Sequence, residues 1–355
     1  MTPELGIIEG FFGRPYTWEE RADMVRALAP AGYGFYLYAP KIDGHLRRRW
    51  REPYPDATLE ALAGFAQACR DAGVRFGVGL SPYELFLNFD DAAKADLAAK
   101  LAQLDSLGLV DLGVFFDDMK GALPELAPRQ VEIVHWIAER SAADRIIACP
   151  SYYTDDPVLD RVFGQRPANY LEDLGAGLDP AIELMWTGEE VCAREFSPGH
   201  LARVAEQMRR KPFLWDNYPV NDGPRMSRHL HLRAFTGRPA AMSAEISAHG
   251  INTASQAVLS RIPALTLAES YRDGDRYQYV AAFRRAAREV LGPDLADAVE
   301  RTLLLLEDAG LDVITAEQSE RLKARFGAFD HPAAREVLAW LDGAFAIGAE
   351  ELQTQ

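Results

Sequence analysis

Asp117 and Asp118 stand side by side after the apolar run Val114-Phe115-Phe116. The run reads as a buried strand that ends abruptly in two carboxylates. Burying one carboxylate costs several kcal/mol unless it is paired or hydrogen-bonded. Two in one site titrate as a coupled pair, which lets one group stay a proton donor while its neighbour stays an anion. The pattern therefore predicts acid/base chemistry. The plainer alternative is an Asp-Asp that caps a helix or opens a turn. Alternation along a strand sends neighbouring side chains to opposite faces. If both acids serve one site, the strand must break or bulge at the pair.

Other polar and aromatic residues follow apolar runs in the same way. Glu9 and Gly10 close the first run, and Lys41 follows the second in Tyr38-Ala39-Pro40-Lys41. Tyr152 and Tyr153 follow Cys149-Pro150; Trp186-Thr187-Gly188 and Trp215-Asp216-Asn217 close later runs, with Asn221-Asp222 and Asn252 beyond. Taken singly, each has a dull reading as surface lysine, core aromatic or turn former. Together on one rim they suit a sugar, with Trp and Tyr faces on pyranose carbons and Asp and Asn on hydroxyls. Most glycosidases hold two carboxyls about 5–10 Å apart across the scissile bond. Sequence neighbours do not easily span a ring from both sides. They better suit a substrate that brings its own nucleophile, a 2-acetamido oxygen that closes onto the anomeric carbon as an oxazoline. One Asp then orients the acetamido N–H while the other protonates the leaving oxygen and later deprotonates water.

The elements that must position these groups are legible as alternating patterns. Apolar runs at 5–9, 34–38, 75–80, 112–116, 145–148, 182–185, 212–215 and 241–246 predict strands. Amphipathic stretches such as 18–28, 59–72, 92–107, 130–142, 200–210 and 255–268 predict helices between them. Thr17 with Glu19 and Glu20, and Asp91 before Ala92, read as helix starts. Eight strands alternating with helices predict an α/β fold, a (β/α)₈ TIM barrel over residues 1–272. A doubly wound open sheet is the alternative, but its glycine-rich phosphate turn does not match Glu9-Gly10-Phe11-Phe12-Gly13. Residues 273–355 carry helical patterns only and predict a small C-terminal all-helical segment packed on the barrel. A barrel places its catalytic groups at the C-terminal ends of the strands, where the residues above fall.

Composition narrows the partners. A net charge of −15 argues against nucleic acid and anionic membranes. No run of apolar residues is long enough to span a membrane. The sequence enters a strand at Leu5 without a leader pattern, so a cytoplasmic protein is expected. Cys69, Cys149 and Cys192 have no metal-ligand or disulfide spacing and predict buried free thiols in a reducing compartment. His229 and His231, two apart, do not predict a metal site.

The chain resembles the family 84 glycoside hydrolases, the β-N-acetylglucosaminidases that include protein O-GlcNAcases and related bacterial enzymes. The matching segments are GIIEGFFGRP at 6–15, YLYAPK at 36–41, Trp50-Arg51-Glu52 with Tyr54, and Phe116-Asp117-Asp118. They continue through Cys149-Pro150 with Tyr153, Trp186-Thr187-Gly188, Trp215-Asp216-Asn217, Asn221-Asp222, and Asn252 before Ala257. The resemblance covers about residues 5–270 in unbroken order.

The resemblance implies a retaining exo-β-N-acetylglucosaminidase with no cofactor and no metal. Its substrate would be a β-GlcNAc-bearing glycoprotein or oligosaccharide. Asp117 would polarise the acetamido group and Asp118 would be the general acid/base. Tyr153 and Asn217 would bind the acetamido group or its oxazoline, and Trp215 would wall the acetyl pocket. Gly10 would offer backbone to a hydroxyl, and Lys41, Asp222 and Asn252 would hold ring hydroxyls. The family pattern has Tyr where Phe12 stands, Trp where Tyr16 stands and Asp where Ile42 stands. These departures bear on the outer pocket and leaving-group preference, not on the carboxylates. Two other readings stay open at this point: a GlcNAc-binding barrel that has lost turnover, and a hexosaminidase for GalNAc or amino-sugar polymers.

Overall fold

The computed structural model describes residues 2–348. Eight parallel strands close into a barrel in chain order: β1 (Glu4–Glu9), β2 (Tyr33–Tyr38), β3 (Arg75–Leu80), β4 (Asp111–Phe115), β5 (Arg145–Cys149), β6 (Glu183–Trp186), β7 (Phe213–Asp216) and β8 (Ala248–Asn252). β1 closes the ring on β8, with Ile8 opposite Asn252. The surrounding helices are α1 (Trp18–Leu28), α2 (Asp56–Asp71), α3 (Asp91–Asp105), α4 (Leu126–Ala138), α5 (Val158–Phe163), α6 (Tyr170–Gly177), α7 (Pro198–Met208), α8 (Gly223–Met226) and α9 (Arg261–Asp273). The strands are near-continuous apolar runs because both faces are covered, by side chains inside and helices outside. Thr17 and Glu20 form a reciprocal cap on α1. Asp90, one residue earlier than expected, caps α3.

The barrel interior alternates bulk with glycine. The Phe115 ring fills the space left by Gly79 and Gly113, where an added Cβ would lie 2.2 and 2.4 Å from it. Phe35 similarly occupies the space at Gly6 and meets Phe213 at 5.3 Å between ring centroids. At the N-terminal ends of the strands Glu4, Arg75, Asp111, Arg145 and Glu183 form one ion-pair group. That face is sealed, which leaves the opposite rim for a ligand.

The eighth strand departs from the sequence expectation. Residues 241–246 are not extended: Ala240–Ala244 forms a short 3₁₀ turn, and the strand is Ala248–Asn252. Its His249 and Gly250 read as loop residues in sequence. His249 is buried because Asp216 and Tyr271 pair with it, and Gly250 is required because a Cβ would come 2.5 Å from Ile8. Cys192 is the second departure. Cys69 and Cys149 are buried, but Cys192 is exposed in the loop after β6.

Beyond α9 lie α10 (Tyr279–Leu291), α11 (Pro293–Leu303) with a π-helical continuation over Leu304–Ala309, α12 (Ala316–Phe326) and α13 (Pro332–Leu341). They share a hydrophobic cluster with Leu230, Leu232, Val258, Leu259 and Ile262 of the barrel chain. Two carboxylates grip barrel backbone. Glu336 accepts from the N–H groups of Val258 and Leu259 at 2.8 and 3.0 Å, and Glu307 from those of Leu232 and Arg233 at 3.2 and 3.1 Å. After α13 the chain runs back to the rim. Trp340 donates to the Ser227 carbonyl, the Ile347 N–H donates to Ser227 Oγ, and Arg14 lies over the Phe345 ring. Ile347 sits where a Cβ on Gly13 would be, 2.7 Å away. Residues 349–355, the end of the predicted helical region, lie outside the described residues. Among the described residues no helix is long and apolar enough to cross a membrane.

Candidate active site

All nine residues singled out from the sequence line one cavity of about 240 Å³ at the C-terminal rim, namely Gly10, Lys41, Asp117, Asp118, Tyr153, Trp215, Asn217, Asp222 and Asn252. Phe12, Cys149, Thr187, Val191, Cys192, Val220 and Gly223 complete its wall. Of these, Phe12, Cys149 and Thr187 stood inside recognised motifs. Val191 and Cys192 carried no signal beyond their place after the sixth strand.

The acid pair sits where the strand ends. Phe116 still donates to the Cys149 carbonyl at 2.9 Å, extending the ladder one residue past β4. Asp118 then takes a left-handed backbone conformation, φ +56°. This is the break that alternation required, and Asp is among the few non-glycine residues that enter this region readily. Arg47 supports the turn, its Nη2 donating to the Asp118 carbonyl at 3.4 Å. The two carboxylates are placed differently. The Asp117 side chain is 6% exposed and that of Asp118 23%, so Asp117 lies at the floor and Asp118 reaches the mouth.

Lys41 sits between them. Its ammonium is hydrogen-bonded to Asp117 Oδ2 and lies 3.6 Å from Asp118 Oδ2. The Lys41 N–H reaches the Phe11 carbonyl, which sets the start of that side chain. Tyr153 donates its hydroxyl to Asp118 Oδ1 at 3.0 Å. Burial first, and the charge of Asp118 next, push the phenol well above its ordinary range, so it stays a donor. Asp117 Oδ1 is buried and finds no hydrogen-bond donor among the described residues. A buried acceptor left unmade costs about 1–3 kcal/mol, more when charged. The cavity is where a donor can reach it.

Trp215 forms one wall, standing edge-on to Phe115 at 5.4 Å. Gly10 is obligatory beside it, since a Cβ there would come 2.3 Å from the indole. A hydrogen-bonded chain fixes this wall across β1, β8 and β7. Gly10 N–H donates to Asn252 Oδ1 at 3.2 Å, Asn252 Nδ2 to Asn217 Oδ1 at 3.0 Å, and Trp215 Nε1 to the same oxygen at 3.0 Å. Asn217 Nδ2 donates to the Val191 carbonyl at 2.8 Å, which anchors the loop carrying Cys192. Asp222 faces them and accepts from the Phe12 N–H at 2.9 Å. Burial raises its carboxyl to about 6. The Phe12 N–H works against that rise, the charge of Asp118 adds to it, and Lys41 draws it back.

A (β/α)₈ barrel with an acid pair and an aromatic, sugar-sized cavity at its C-terminal rim has the layout of a glycoside hydrolase. The sequence model described as beta-N-acetylglucosaminidase matches residues 5–303. The chain belongs to that family, family 84 of the glycoside hydrolases. Protein O-GlcNAcase of Mus musculus is 28% identical over 317 residues, which cover 86% of this chain and 33% of the relative. The Rattus norvegicus protein of the same name matches at the same identity and coverage. The chain thus spans about a third of the length of these curated relatives. A mutant O-GlcNAc hydrolase of Thermobaculum terrenum superposes with a TM-score of 0.82 at 26% identity, covering 95% of this chain and 80% of that one.

Proposed function

We propose that this chain is a retaining exo-β-N-acetylglucosaminidase that cleaves terminal β-linked GlcNAc by substrate-assisted catalysis. The observation that carries the reading is the unpartnered, buried Asp117 Oδ1 beside an Asp118 held toward the mouth. An acetamido N–H is the neutral donor such an oxygen lacks, and an ordinary hydroxyl at that carbon would bring no internal nucleophile.

The steps follow from the placement. Asp117 accepts the acetamido N–H and concentrates electron density on the carbonyl oxygen. That oxygen bonds to the anomeric carbon as the bond to the leaving oxygen breaks, and Asp118 gives its proton to the departing group. The oxazolinium carries positive charge beside Asp117, while Lys41 balances the carboxylates. Asp118 then takes a proton from water, which attacks the anomeric carbon and reopens the ring with net retention. Trp215 walls the acetyl group, Tyr153 and Asn217 bind the acetamido group or its oxazoline, and the Gly10 backbone with Lys41, Asp222 and Asn252 holds sugar hydroxyls. The chemistry calls for no cofactor.

At about 240 Å³ the cavity is smaller than the ~300–1,000 Å³ usual for drug-sized ligands, which favours one terminal sugar over a threaded polymer. The names of the curated relatives support a protein-borne GlcNAc as substrate, with oligosaccharides as the alternative. Buried thiols at Cys69 and Cys149 support a reducing, cytoplasmic setting. We also place the catalytic unit in residues 1–272 and read residues 273–355 as its brace.

The test is hydrolysis of a chromogenic β-GlcNAc glycoside and its β-glucoside counterpart by wild type, Asp117→Asn and Asp118→Asn. The reading expects turnover of the acetamido sugar alone, lost in both variants. Equal turnover of the glucoside, or variants as fast as wild type, removes the mechanism.

A further inference from the structure

We infer that Ser151 is a positioning residue for the acid pair: its hydroxyl, held by Gln130 and Tyr170, fixes the carbonyl of Phe116 and so aims Asp118 at the leaving oxygen. The inference rests on the hexosaminidase reading and names what keeps its proton donor in place.

Phe116 is the last residue before the pair. Its N–H is spent on the Cys149 carbonyl, and its own carbonyl accepts from Ser151 Oγ at 2.9 Å. In an unbroken parallel ladder the Ser151 N–H would take that carbonyl. Here the Ser151 N–H goes to the Tyr170 hydroxyl at 2.9 Å, and the serine side chain stands in for its own backbone. The substitution falls where the strand has to break. The carbonyl belongs to the planar peptide unit that joins Phe116 to Asp117. Holding its oxygen sets the plane from which Asp117 starts, and Asp118 follows in its left-handed conformation.

A hydroxyl has one proton to give, and here its direction is set from behind. Gln130 Nε2 donates to Ser151 Oγ at 2.8 Å, so the serine proton goes to Phe116. Gln130 Oε1 accepts from the Tyr170 hydroxyl, whose oxygen accepts from the Ser151 N–H. With its amide turned over, Gln130 would draw the serine proton to itself and leave the Phe116 carbonyl bare. Ser151, Gln130 and Tyr170 are all buried, and none of them lines the cavity. They touch no substrate and act through the backbone. Gln130 comes from α4 and Tyr170 opens α6, so two outer helices reach the acid pair through one hydroxyl. The segment after β5 also carries Tyr153, the donor to Asp118 Oδ1. Asp117 has its own hold at the floor in Lys41, which stands farther from Asp118, at 3.6 Å. Loss of the Ser151 hydroxyl therefore displaces the proton donor more than the floor.

Two aryl β-GlcNAc glycosides test this, one that releases phenol and one that releases a dinitrophenol. Phenol needs the proton of Asp118 to depart, and dinitrophenolate leaves without it. The ratio kcat/KM counts events only up to that departure, so the later attack of water does not enter. Ser151→Ala should lower kcat/KM on the phenyl glycoside about 30-fold and on the dinitrophenyl glycoside less than about threefold, as for an acid moved out of line. Ser151→Thr keeps the hydroxyl and should restore most of the phenyl activity. Tyr170→Phe should show the same selectivity to a smaller degree, and it carries the test if thermal melts show Ser151→Ala unfolded. Asp118→Asn sets the scale, with a deeper loss of the same selectivity. Equal losses on the two glycosides, no loss, or no restoration by a Ser151→Thr chain that melts like wild type overturns the positioning role. If Asp118→Asn is selective and folded Ser151→Ala is not, Ser151 loses its role and the hydrolase reading stands. If wild type cleaves neither glycoside, both fall together.

Discussion

Asp117 and Asp216 are both buried aspartates at the C-terminal ends of barrel strands, and both face a cation, yet their surroundings differ in one respect. Asp216 is fully matched. Arg238 grips it through Nη2 and Nε at 2.6 and 2.8 Å, and His249 Nε2 lies 3.0 Å away. The remaining Arg238 donors reach the carbonyls of Ala193, Arg194 and Thr236. An ionised carboxylate only accepts, so His249 donates to it from Nε2, and His249 Nδ1 is hydrogen-bonded to the Tyr271 hydroxyl, 2.7 Å away. Burial alone would raise Asp216. The Arg238 charge and the bonds from His249 and Arg238 outweigh it and hold the carboxyl below its ordinary range. Asp117 has Lys41 on one oxygen and, among the described residues, nothing on the other. A completed cluster holds structure together. An incomplete one, kept at a cost, has a place for something that is not yet there.

The widest separation between the two clusters is expected in turnover. Asp118→Asn and Asp117→Asn should each lower kcat by about 10²–10⁴-fold, the usual loss of one acid or base, with melting temperature little changed. Chromogenic assays paired with thermal melts check this. A large fall in stability with either variant would put these acids in the same class as Asp216.

Asp216→Ala should do the reverse. It leaves Arg238 and His249 buried without their anion, so unfolding free energy should drop by about 3–5 kcal/mol in denaturant titrations. The fraction that remains folded should still cleave β-GlcNAc. A stable but inactive variant would move Asp216 into the chemistry.

Asp222 lies between the two kinds, with one fixed donor at Phe12 and the cavity before it. Its carboxyl, raised to about 6, accepts more strongly from a sugar hydroxyl when ionised. kcat/KM should therefore fall as pH drops through about 6. Asp222→Asn should remove that inflection and cost about tenfold at neutral pH, near the worth of one charged hydrogen bond. An inflection that survives the substitution belongs to another group.

The smallest effect concerns Glu336, matched by two backbone N–H groups yet raised to about 7 by burial, against which those donors pull. In the folded chain it keeps its proton to about pH 7, whereas an unfolded Glu releases it near ~4.3. The folded state binds more protons between those values. The stability this group contributes is complete below the lower value and is lost as pH rises through the upper one. Relative to Glu336→Gln, wild type should lose ground between pH 6 and 8 in denaturant melts. A constant difference would show that Glu336 does not titrate there.

The fold was readable where strands are simple apolar runs ending in polar residues; the nine residues given roles meet in one cavity, whereas Glu9, Tyr152 and Trp186, placed on the same rim from the sequence, are turned to Arg21, Gly164 and His200 instead. β8 was not, because Ala248-His249-Gly250-Ile251-Asn252 looks like a loop until Asp216 and Ile8 are brought against it. Pairing between distant residues leaves no periodic trace. Lys41 shows the same limit within the site, since its position after β2 was legible and its bond to Asp117 was not.

Ile347 against Gly13, and Trp340 and Ile347 on Ser227, join the first and seventh rim loops to residues made more than three hundred positions after the first. Chains emerge from the ribosome N-terminus first, and early segments begin to fold before late ones exist. Every acid named in the proposed chemistry is translated by residue 222, whereas Trp340 and Ile347, which pack on the first and seventh rim loops, are translated more than a hundred residues later. The reactive groups are therefore made well before the residues that pack behind the first and seventh rim loops, and a nascent barrel should stay catalytically silent until those residues have docked.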